Sequence, residues 1–118
     1  MAVYFDTSKP QALLDKFIAR VNQKEVEGKI TTWKQHKDKV HFTHTSAEWH
    51  EKAFMKPKVE RDRLVFNIIQ PQGVTVTWIV YAYYHGHLIE TFINHFHDNF
   101  TEGKATSQGT TGDVLTNK

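Results

Sequence analysis

The sequence predicts a two-layer α+β domain. One mainly antiparallel sheet of four to five strands carries an N-terminal and a C-terminal helix on one face, in the order α-β-β-(β)-β-β-α. Three observations carry this. Leu13, Leu14, Phe17, Ile18 and Val21 recur at helical spacing. Val74 to Tyr84 is rich in β-branched and aromatic residues and alternates like a strand. From Leu88 to Phe96 the apolar residues return to a helical period.

Residues 1 to 7 read as a short extended piece, with Tyr4 and Phe5 packing on the domain edge. Ser8-Lys9-Pro10-Gln11 is a helix start, with a serine N-cap, a glutamine three residues on and a proline in the first turn. Gly28 stands where the helix should be capped. Ile30–Gln35 and Val40–Thr45 flank the polar turn His36–Lys39 and predict a hairpin. Ser46 to Lys52 is either a short helix or irregular. Ala53 to Val59 is extended, and Pro57 demotes it to an edge strand or an irregular one, because proline cannot donate to a ladder. Leu64 to Gln70 is apolar on both faces and therefore interior. Pro71-Gln72-Gly73 turns it into the next element.

That next element is the expected central strand, Val74 to Tyr84. Val74, Val76, Trp78, Val80 and Ala82 form a uniformly apolar face that should lie in the core. Thr75, Thr77, Ile79, Tyr81 and Tyr83 form the second face. His85-Gly86-His87 would then be a turn, followed by a helix burying Leu88, Ile89, Phe92, Ile93 and Phe96. The helices cover the first face, so Ile79, Tyr81 and Tyr83 are left as an apolar patch. Either the chain covers that patch itself, or a second copy does. Beyond Phe100, glycine, threonine, serine and asparagine dominate. The expected organisation is a domain over 1–100 and a disordered tail over 101–118.

Composition removes several classes of function. The chain has 118 residues, no cysteine and a net charge of +2. Disulfides and thiolate metal sites are thereby excluded. There is no pattern of a secretory signal and no apolar run of membrane-spanning length, so a cytoplasmic protein is expected. Nothing matches a phosphate loop, a dinucleotide fingerprint or a nucleophile elbow. Eight histidines invite a metal reading, but their spacing opposes it: His95 and His97 lie two apart on a helix and cannot chelate one ion. No metal site and no cofactor are expected.

Three functional readings follow. The first is a non-catalytic interaction module, a homodimer pairing through Ile79, Tyr81 and Tyr83 on the open sheet face. The second is a small enzyme or ligand-binding pocket at the strand-to-helix corner, using His85, His87, Glu90 and Tyr83, where first-turn amides could hold an anion. The third is nucleic-acid binding by residues 29–63, which hold nine Lys/Arg against five acids. Interleaved acids at 38, 60 and 62 weigh against it.

Overall fold

In a computed structural model, which describes residues 2–115, the chain forms one six-stranded antiparallel sheet and two helices. The elements are β1 (Ala2–Asp6), α1 (Pro10–Asn22), β2 (Trp33–Gln35), β3 (Phe42–His44), β4 (Phe54–Val59), β5 (Arg63–Ile69), α2 (Trp78–Phe96) and β6 (Glu102–Ala105). The strand order is β2-β3-β4-β5-β1-β6. The α+β class and the two packed helices match the expectation, with more strands than it contained.

Both helices lie on one side of the sheet. Register places Val3 opposite Phe66 and Phe5 opposite Leu64, with Met55 opposite Ile68 and Phe42. These side chains share the helix-facing side, and all are fully buried. Phe17 of α1 and Phe92 of α2 meet there, 5.0 Å apart between ring centroids, and both pack on Phe66. β1 is therefore an interior strand between β5 and β6, not an edge, and Phe5 stacks on Phe92 at 4.1 Å.

α1 begins at Pro10 with Lys9 as its N-cap, and no side chain caps it. The Ser8 capping box does not form, although proline does open the helix. The hairpin is present, with Trp33 opposite His44. Residues 46–52 form turns. β4 is interior between β3 and β5, yet it meets β3 at a single pair, Phe42 with Met55. Pro57 lies beyond the end of β3, so its missing N–H leaves no ladder bond unmade.

The largest departure is Val74–Tyr84, which is not a strand. Gly73 takes a positive φ of 75°. Thr77 then caps a nineteen-residue helix, its hydroxyl accepting from the amide of Val80 at 3.3 Å. Val80, Tyr81, Tyr84, His85, Leu88, Thr91, Phe92 and Phe96 are buried along one stripe, so a single 3.6-residue period runs through the expected turn. Gly86 sits in mid-helix. Trp78, the expected core residue, is 64% exposed. β-branched and aromatic residues fit a strand locally, but a helix from 78 to 96 buries a longer continuous stripe against β1 and β6.

The expected disordered tail meets two ordered pieces. β6 pairs with β1 from Val3–Ala105 to Asp6–Glu102. Val114 then bridges to Ile69 where β1 ends. Asp113 accepts from the side chain of Asn67 at 2.9 Å, the amide of Ile68 at 3.1 Å and the amide of Thr110 at 2.8 Å. These contacts are backbone pairing and carboxylate acceptance rather than apolar burial, so composition does not register them. Residues 116–118 of the expected tail lie outside the described residues. Among the described residues no helix is long and apolar enough to cross a membrane.

Candidate functional site

Because α2 is continuous, the expected strand-to-helix corner does not exist. Its amides are inside a helix and are not open to an anion. The helix also sorts the corner residues by azimuth. Tyr83, His87 and Glu90 face outward or sideways and line a hollow of about 400 Å³ with Ala82 and Gly86. His85 points the other way: it is buried, hydrogen-bonded through Nδ1 to the carbonyl of Tyr81 at 2.6 Å, and stacked on the Tyr81 ring.

The inner edge of this hollow is a cluster of rings. His87 lies parallel to His44 of β3, centroids 4.7 Å apart, with their Nδ1 atoms 3.3 Å apart. Trp33 of β2 packs on both imidazoles, its ring tilted at 4.0 Å from His44 and 5.9 Å from His87, and donates from Nε1 to the Thr91 hydroxyl at 3.1 Å. Tyr83 stacks on Trp49 at 4.1 Å. His44, Trp33 and Trp49 are contributors that the sequence reading left out of the site. The signal for His44 was the hairpin register, which sets it directly opposite Trp33.

The cluster is electrostatically quiet. Burial holds His44 down to about 4, and His87 beside it opposes a second charge. Burial also lowers His87, against the pull of Glu90. The Thr32 carbonyl can only accept, so Nδ1 of His44 carries the proton, 3.2 Å away. Its Nε2 is buried with no hydrogen-bond partner among the described residues. Both imidazoles are therefore neutral at pH 7.

This geometry does little chemistry. Glu90 reaches His87 through Nε2 at 3.3 Å, on the opposite edge of the ring from the nitrogen that faces His44. The three groups cannot ligate one ion together, and among the described residues no group of three His, Asp or Glu could hold a metal. The Thr91 hydroxyl accepts from Trp33 and donates to the His87 carbonyl at 2.8 Å, so it is not free to act as a nucleophile. The basic residues of 29–63 are spread along the chain, over the hairpin (Lys34, Lys37, Lys39), β4 (Lys56, Lys58) and the turn into β5 (Arg61, Arg63).

The outward face of α2 is the more unusual surface. Of the expected interface residues, Ile79 is 72% exposed, Tyr83 is half-buried and Tyr81 is buried. The grouping by strand face is thus wrong, since the three fall on different sides of a helix. The residues that do share the outward side are Ile79, Ala82, Gly86 and Ile93, with Ile93 52% exposed. A second hollow lies beside the first, lined by Gly86, Ile89, Glu90, Ile93 and Asn94. Both hollows are lined by α2 alone, so no loop overhangs them. A Cβ at Gly86 would meet nothing within 4 Å. Nothing among the described residues requires glycine there, although it costs about 1 kcal/mol against alanine in a helix.

No family model, curated protein or solved structure matches this chain.

Proposed function

We propose that this protein is a non-catalytic interaction module that self-associates through the outward face of α2. The observation that carries the reading is the composition of that face. α2 has no lysine or arginine and a single acid, Glu90, and it exposes Trp78, Ile79 and Ile93. The solvent face of a surface helix is ordinarily charged. Contiguous exposed apolar surface marks a place where another surface binds. Self-association moves from the expected sheet face to a helix face, and Ile79 and Tyr83 move with it.

Amide chemical shifts followed from dilute to concentrated protein test the proposal. Residues 78–94 should shift together as concentration rises. Shifts confined to the hairpin or the sheet edges would contradict it.

The hollow over Ala82 and Gly86 favours a second reading, a small aromatic or apolar ligand held by Tyr83, His87 and Glu90. Such a ligand would shift the same amides at constant protein concentration.

A further inference from the structure

We infer that two copies pair α2 against α2, antiparallel, about a two-fold axis passing beside Gly86. The inference rests on the self-association reading and specifies its partner and register.

Ile79 lies seven residues before Gly86, and Ile93 lies seven after it. Seven residues are two helical turns, so all three fall on one outward stripe. In an antiparallel pair centred on Gly86, each position before the centre meets the position equally far after it. Ile79 of one copy then packs against Ile93 of the other, at both ends of the contact. Gly86 meets Gly86 at the centre, where helices without side chains approach most closely. This gives the glycine the purpose it lacks inside the chain. A seven-residue stripe is also the spacing that keeps two helices in contact at a shallow crossing angle.

The flanks match as well. A two-fold axis lying in the contact plane and perpendicular to the helices keeps left with left and right with right. Ala82 and Ile89 lie on one side of the stripe, so half-buried Ile89 of each copy sits over the small Ala82 of the other. Tyr83 and Glu90 lie on the opposite side, so the carboxylate of one copy comes beside the phenol of the other. The Tyr83 hydroxyl makes no hydrogen bond among the described residues, and Glu90 is exposed apart from its contact with His87. The two Glu90 side chains, the only charges on α2, are held about 12 Å apart along the axis by their eight-residue offset. The face is thus its own complement in shape, polarity and charge.

A lipid surface fits less well. A helix that lies on an anionic membrane flanks its apolar face with lysine and arginine, and α2 has neither. The contact from 79 to 93 is about 21 Å long, which places the interface toward the low end of the size range for specific pairs.

The chain has no cysteine, so introduced thiols report cleanly. Ile79→Cys protein is mixed with Ile93→Cys protein bearing a size tag, and the mixture is mildly oxidised. Both positions are exposed, so both variants should fold. Antiparallel pairing predicts the mixed 79–93 cross-link in large excess over either self-cross-link, because residues 79 of the two copies would be about 21 Å apart. Self-cross-links at 79 and at 93 in excess would overturn the antiparallel register while leaving self-association standing. No cross-link above the level given by an Ala12→Cys control, with wild-type mass monomeric throughout, would overturn both. Vesicle binding by monomeric wild-type protein would also overturn both, in favour of a lipid partner.

Discussion

The two helices bury similar faces and present opposite ones. α1 turns Leu13, Phe17 and Val21 toward the sheet and shows solvent Gln11, Asp15, Lys16 and Asn22. Gln11 and Asp15 are even hydrogen-bonded to each other along that surface, at 2.9 Å. α2 turns Tyr84, Leu88 and Phe92 inward and shows Ile79, Ala82, Gly86 and Ile93. The inward stripes explain the fold, and either helix would serve it equally. Only the outward stripes differ in kind. The outward face of α1 needs nothing beyond water, whereas that of α2 carries apolar area with no partner among the described residues.

The largest expected effect tests whether inside and outside are assigned correctly on α2. Phe92 is fully buried and packs on Phe5, Phe17 and Phe66. Phe92→Ala should cost ~3–5 kcal/mol in denaturant unfolding. Trp78→Ala, at an exposed position on the same helix, should change the stability of the dilute protein by no more than ~0.5 kcal/mol. The reverse ranking would mean that α2 is rotated about its axis.

Next is the ring cluster that fixes α2 against the hairpin. His44 takes a proton near pH 6.5 when unfolded and only at about 4 when folded. Between those values the unfolded chain binds more protons, so stability rises with pH through that window. His44 should contribute ~3 kcal/mol that is fully present above pH 6.5 and lost as pH falls to about 4. The lowered His87 adds to the loss in the same direction. Unfolding free energies measured across this window should show the slope, and His44→Gln should flatten it. An unchanged slope in the variant would mean that His44 is solvated.

A smaller effect concerns the sheet face away from the helices, where Thr111 and Asp113 hold the Asn67 side chain. Asp113→Ala removes the acceptor for Asn67, Ile68 and Thr110. It should cost ~1–3 kcal/mol, with raised amide exchange at Ile68 and Thr110. No change in exchange would mean that residues 110–115 are not docked.

Much of the fold could be read from the residues. The helical period of α1, the hairpin and the two-faced apolarity of β5 each have a local cause that the structure keeps. Val74–Tyr84 was not legible by alternation. Its threonines, valines and tyrosines satisfy a strand pattern, while the competing helical period becomes visible only when 80–96 is taken as one stretch. A glycine read as a breaker hid that continuity. The mid-helix glycine was the informative residue, because its cost is unexplained inside the chain. Of the expected corner, Tyr83, His87 and Glu90 do converge and His85 does not, since a helix separates residues two apart by about 200°. His44, Trp33 and Trp49 could enter the site only once register and tertiary packing were known.

The most direct test of the central claim is sedimentation equilibrium on wild type, Ile79→Glu and Ala12→Glu from micromolar to several hundred micromolar. The two substitutions add the same charge to the outward faces of α2 and α1. The mass should rise from one chain toward two for wild type and Ala12→Glu. Ile79→Glu should keep a constant single-chain mass, with its unfolding midpoint at low concentration unchanged. A wild-type mass of one chain at every concentration, or equal association by all three proteins, would contradict it.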